Sequence, residues 1–138
     1  MSMFRIMCID YGDVRLGIAL SDPLQLISRP FSVLVNHDPA MFQQLKEIIQ
    51  NEKVGKIVLG LPLNLGGEDT PKTLQVRQFA ERLRIETALP LEFWDERYSS
   101  AEANETLKKM GYNSKQSRAL VDKVAASIIL QDYLDSRK

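Results

Sequence analysis

The sequence predicts an α/β fold built on a mixed five-stranded sheet: a three-stranded antiparallel meander, then two parallel strands, flanked by helices. Three observations carry this reading. Three short strand-like segments follow one another before residue 36. Amphipathic helical stretches then alternate with two further apolar runs. Each of those runs is too short for a helix and ends at a breaker or an acid.

Phe4 to Ile9 is an apolar run closed by Asp10-Tyr-Gly12, and Val14 to Leu20 follows at once, as a hairpin requires. Arg29 to Val35 supplies a third, weaker strand. Asp38-Pro39 is expected to cap and start a helix with Phe42, Leu45 and Ile49 on one face. Lys56 to Leu61 is a buried strand stopped by Pro62, and Thr70-Pro71 caps a second helix lined by Val76, Phe79, Ala80 and Leu83. Leu91 to Asp95 is the fifth strand. Ser99 or Ser100 then caps a helix to Met110, Gly111 to Ser117 is a polar loop, and a last helix spans about Arg118 to Ser136. Helical crossovers make strands one, four and five parallel, so their carboxyl ends emerge on one edge, where ligands of open α/β sheets gather.

The 138 residues suffice for one domain over 1–138 with its own core. A single cysteine, Cys8, excludes a disulfide framework or cysteine-rich metal site. The N-terminus lacks a signal-peptide pattern and no stretch approaches spanning length, so a cytoplasmic, membrane-free protein is expected. Eighteen basic residues balance eighteen acidic ones, which argues against a nonspecific nucleic-acid coat and leaves room for a local basic patch.

Asp10 ends the first strand and Asp95-Glu96 the fifth. Either acid alone reads as an ordinary turn residue, but the topology sends both to the same edge. Asp122 falls within the apolar arc of the last helix, where a carboxylate is costly unless compensated. Converging carboxylates, with His37 as the sole histidine, point to a hard divalent cation, Mg²⁺ or Mn²⁺, rather than zinc. Without metal, at least one of these acids is expected to have a raised pKa. From Lys108 to Lys123 there are five basic residues (Lys108, Lys109, Lys115, Arg118, Lys123) against one acid, a candidate phosphate-backbone patch that reads otherwise as a solvated loop. Tyr112 within it is a candidate base-stacking residue.

Four ordered blocks resemble a known family. They are Asp10-Tyr-Gly-Asp-Val-Arg-Leu-Gly-Ile-Ala-Leu-Ser-Asp22, Gly60-Leu-Pro-Leu-Asn64 with Gly66-Gly67, Asp95-Glu-Arg-Tyr-Ser-Ser100 with Glu102-Ala103, and Val121-Asp-Lys-Val-Ala-Ala126. Together they resemble the YqgF (RuvX) family and span essentially the whole chain. The resemblance implies an RNase H-like fold shared with RuvC-type Holliday junction resolvases, and a role in processing the 5′ end of pre-16S rRNA. It implies Asp10, one of Asp95 and Glu96, and Asp122 as catalytic acids. Of the pair Glu96 is preferred, although strand alternation puts the two on opposite faces and the sequence does not separate them.

Arg97 and Lys123 are expected to meet phosphate near the metal, and Asn64 with the Gly66-Gly67 turn to shape the substrate groove. Asp13 departs from the family pattern, which often has a hydroxyl residue there. It either joins the metal's outer surroundings or sits in the turn. Expected partners are pre-rRNA or branched DNA, with the small ribosomal subunit a further candidate, and the chain is read as a monomer or homodimer. Two rivals stand beside the nuclease: a phosphotransferase of the actin and sugar-kinase class, which needs a second such domain, and a noncatalytic RNA- or ribosome-binding module.

Overall fold

The computed structural model describes residues 3–96 and 118–137; for 118–120 it describes the backbone only. The elements are β1 (Arg5–Tyr11), β2 (Arg15–Ser21), β3 (Ser28–Val35), α1 (Met41–Asn51), β4 (Val54–Leu61), α2 (Pro71–Thr87), β5 (Leu91–Asp95) and α3 (Arg118–Ser136). The five strands form one sheet in the order β3-β2-β1-β4-β5. Strands β1, β2 and β3 pair antiparallel, while β4 runs parallel to β1 and β5 parallel to β4. This is the mixed sheet expected from the sequence. Among the described residues no helix is long and apolar enough to cross a membrane.

The side-chain period of two divides the strands between two cores. Met7 and Ile9, Leu16, Ile18 and Leu20, and Ile57, Leu59 and Leu61 pack on one face with α1 and α2, through Met41, Leu45, Val76, Phe79 and Leu83. Ile6, Cys8, Ala19 and Val58 face the other way, against Ala126, Ile129, Leu130, Tyr133 and Leu134 of α3. The result is three layers: α1 and α2, the sheet, and α3.

Two local expectations are corrected. Helix α1 begins at Met41, with Ala40 as N-cap and no side-chain cap, rather than at Asp38-Pro39. The carboxylate of Asp38 accepts from the backbone N–H of Ala40, and its carbonyl accepts from Met41 N–H. Asp38-Pro39 therefore closes a turn ahead of the helix, a conformation that Asp and Pro favour equally well. Strand β1 also runs past the apolar run to Tyr11, because the hairpin pairing continues through Asp10↔Gly17 and Tyr11↔Leu16. Helix α2 starts as expected, with Thr70 accepting from Thr73 N–H in a capping box and Pro71 in the first turn. The helix predicted to end at Met110 and the Gly111–Ser117 loop lie outside the described residues.

Candidate active site

The α3 face of the sheet carries the site. Counting by twos from Ile6 and Cys8, Asp10 projects towards α3, as do Gly17 and Ala19 on β2 and Val58 and Gly60 on β4. On β5, Trp94 packs in the α3 core while Phe93 packs against the opposite one. Asp95, the last residue of β5, falls on the other side by alternation, whereas Glu96, just past the strand, lies on the α3 side, its Oε2 beside Gly60 and Ile129. A hydrogen bond joins the carboxyls of Glu96 and Asp10. Glu96, not Asp95, is the acid brought to Asp10, a choice that the sequence left open.

Asp122 reaches the same place by another route. It lies four residues before Ala126, seven before Ile129 and eleven before Tyr133, on the stripe that α3 turns to the sheet. Gly17 lies directly opposite Asp10 in the β1–β2 register. A Cβ on Gly17 would stand 2.0 Å from the Asp122 carbonyl oxygen, so the α3 backbone rests on β2 beside Asp10. Small residues on the facing strand permit that approach.

Electrostatics follow from the crowding. Burial holds the Asp10 carboxyl well above the usual carboxylate range, and the charges of Glu96 and Asp122 push it the same way. Burial also raises Glu96, as does the charge of Asp95, while its hydrogen bond with Asp10 and the ammonium of Lys72 pull it down. Two carboxyls this close share a proton more readily than they both ionise, which is why both sit above their ordinary range. Cys8, one alternation below Asp10, is fully buried, and its thiol is raised by burial and by the same two acids.

Two cations at the site were missed in the sequence. Arg15 Nε donates to Asp122 Oδ2 at 2.7 Å. Arg15 shares the α3-facing alternation of Gly17 and Ala19, a signal that is readable only once the face of β2 is known. Lys72, in the first turn of α2, meets Asp13 at 2.6 Å and stands 5.2 Å above the Tyr11 ring. Its position follows from the capping box, because the Thr73 hydroxyl donates to the Pro62 carbonyl and ties the helix start to the end of β4. Asp13 is thus the exposed partner of Lys72.

Asn64 is exposed, and its side chain accepts from Glu68 N–H, closing the loop in which Gly67 takes φ 80°. Lys123 is half-buried at the start of α3. Arg97, Lys108, Lys109, Tyr112 and Lys115 lie outside the described residues, as does the side chain of Arg118.

Asp10 and Glu96 are the described residues that could hold a hard divalent cation. Asp10 and Glu96 offer carboxylate oxygens whose mutual repulsion a cation would relieve. Among the described residues no three ligating side chains close around one point. The third acid, Asp122, is held by Arg15.

The sequence pattern of the RuvX family, described as "Holliday junction resolvase", matches residues 4–136. A protein of Maridesulfovibrio salexigens named "Putative pre-16S rRNA nuclease" is 46% identical over 131 residues, covering 94% of this chain and 97% of its own. One of the same name from Syntrophomonas wolfei is 42% identical over 132 residues, covering 95% and 94%. Among solved structures, Thermus thermophilus RuvC in complex with a Holliday junction substrate superimposes with a TM-score of 0.56 at 13% identity, covering 97% of this chain and 95% of that one. That likeness establishes a RuvC-like, RNase H-like fold. With that pattern matched over residues 4–136 and relatives this similar nearly end to end, the chain belongs to the RuvX family.

Proposed function

We propose that this protein is a metal-dependent nuclease that hydrolyses phosphodiester bonds in the 5′ leader of pre-16S rRNA. The observation that carries the reading is the convergence of Asp10, Glu96 and Asp122 on the α3 side of the sheet, at the carboxyl ends of β1 and β5. Choice of an RNA substrate rests on the name carried by relatives that match nearly end to end.

Asp10 and Glu96 would hold Mg²⁺ or Mn²⁺, with Asp122 completing the set. When bound, the ion supplies Lewis-acid stabilisation of charge on a phosphodiester under attack. The residues themselves do the positioning. The half-buried Asp10–Glu96 pair sets two carboxyls side by side, one on β1 and one just past the end of β5, and Gly60 leaves the space that the Glu96 carboxylate occupies. Lys72 sets positive charge beside the pair, where it also suits an incoming phosphate.

The test offers purified protein, with Mg²⁺ or Mn²⁺, a pre-16S 5′-leader fragment, unrelated single-stranded RNA and a synthetic four-way DNA junction. Cleavage of the leader that disappears in folded Asp10→Asn and Asp122→Asn is expected. Preferential cutting of the junction would move the substrate to branched DNA. Binding without cleavage of any of the three would favour a noncatalytic module.

A further inference from the structure

We propose that Arg15 is a substrate-sensitive latch on Asp122, withholding the third carboxylate from the Asp10–Glu96 pair until a phosphodiester takes the guanidinium away. The inference rests on the nuclease reading and adds to it an order of assembly.

Four observations carry it. Asp122 rests against Gly17, the residue directly opposite Asp10 in the β1–β2 register, yet its Oδ2 accepts from Arg15 Nε at 2.7 Å. The backbone of Asp122 is pinned against Gly17, so the residue chooses between partners by side-chain rotation alone. Both side chains stay accessible, Arg15 at 29% and Asp122 at 25%, so a nucleic-acid strand can reach the guanidinium. Finally, no three ligating side chains among the described residues surround a common point.

One guanidinium N–H is committed to Asp122, and a guanidinium carries four more, in a fork that fits two oxygens of a phosphate. Ion pairs this accessible to water are weak, so a phosphodiester can compete for Arg15. Once Arg15 turns to phosphate, Asp122 carries an uncompensated negative charge beside Asp10 and Glu96. That charge strengthens the site for a divalent cation. Oligonucleotide and metal should then bind cooperatively, and by linkage each must tighten the other equally. Arg15 is a positioning residue in this scheme, acting through Asp122.

The experiment is titration calorimetry of Mn²⁺ into the full chain, with and without a saturating cleavage-resistant 2′-O-methyl RNA oligonucleotide. In wild type the oligonucleotide is expected to tighten Mn²⁺ binding by about tenfold, within the usual range of such couplings. In Arg15→Gln, Mn²⁺ alone should bind more tightly than to wild type, and the coupling factor should fall towards one. Unchanged Mn²⁺ affinity in folded Arg15→Gln, or undiminished coupling, overturns the latch. Wild type that binds no Mn²⁺ at all would instead defeat the metal-dependent reading beneath it.

A second measurement needs no variant. The Arg15 Nε–H resonance, held by Asp122 in the free protein, should shift when the oligonucleotide is added. A resonance unmoved by saturating oligonucleotide with metal present would also overturn the proposal.

Discussion

A Cβ on Gly17 would stand 2.0 Å from the carbonyl oxygen of Asp122 and 2.4 Å from its carbonyl carbon, so helix α3 meets strand β2 backbone to backbone. Backbone atoms cannot swing aside as a side-chain end can. Gly17→Ala must lift the start of α3 from the sheet and carry Asp122 away from Asp10. The expected loss is about 3 kcal/mol, the upper end for overpacking, read by urea denaturation, with cleavage lost even where the variant remains folded. A loss below about 1 kcal/mol would show that α3 shifts freely at this contact.

Gly60→Ala should separate stability from activity. The added methyl would meet Glu96 Oε2 at 2.5 Å and Ile129 Cδ1 at 3.1 Å, both ends of flexible side chains. The fold can yield there, so the melting temperature should stay within a few degrees of wild type. The Glu96 carboxylate, however, is pushed from its place beside Asp10. Displacement by about 1 Å is enough to lower cleavage by about 10²-fold. A folded Gly60→Ala with full activity would remove Glu96 from the reaction.

The metal-free protein should lose stability as pH rises. Asp10 and Glu96 both have native pKa values above their ordinary 3.8 and 4.5. Between those ordinary values and the raised native ones, the native state holds more protons than the unfolded chain. Stability is therefore full below about pH 4 from these groups and falls through the native titration of the pair, by at most about 1.4 kcal/mol per pH unit per proton. Asp10→Asn removes one charge of the half-buried pair. In EDTA at neutral pH it should melt above wild type, and it should gain much less when Mg²⁺ or Mn²⁺ is added. Thermal melts across pH check both statements, and an Asp10→Asn that melts lower in EDTA would mean the acids do not repel.

Lys72 is expected to set where the pair titrates. Its ammonium lowers both Asp10 and Glu96, and its contact with Asp13 holds it at the site. Lys72→Met should move the Asp10 carboxyl titration to higher pH in metal-free protein, followed by carboxyl carbon NMR. Asp13→Asn, which loosens the tether and keeps the ammonium, should produce a smaller shift in the same direction. A midpoint that stays fixed in Lys72→Met would show that Lys72 is paired with Asp13 alone.

Much of the site could be read in the chain itself, because its determinants are local. An apolar run ending in an acid placed Asp10 at the end of a buried strand, and Thr70-Pro71 fixed the start of α2. Helical spacing put Asp122 on the sheet-facing stripe of α3, and the alternation of helix and strand after the hairpin set the parallel order of β1, β4 and β5. Period and capping depend on neighbours a few residues apart, and the sequence displays those directly.

Tertiary structure alone decided which acid at the end of β5 is brought to Asp10 and which cations stand beside the pair. The face of β5 is set by Trp94 packing edge-on to Tyr133, 39 residues away in sequence, at a centroid distance of 5.7 Å; that contact sends Glu96 towards Asp10 and Asp95 away from it. Arg15 reaches Asp122 across 107 residues, and Lys72 reaches Asp13 across 59. Such partners are chosen by strand register and helix docking. A shift of one residue in β2 would turn Arg15 to the opposite face of the sheet while leaving every local propensity unchanged.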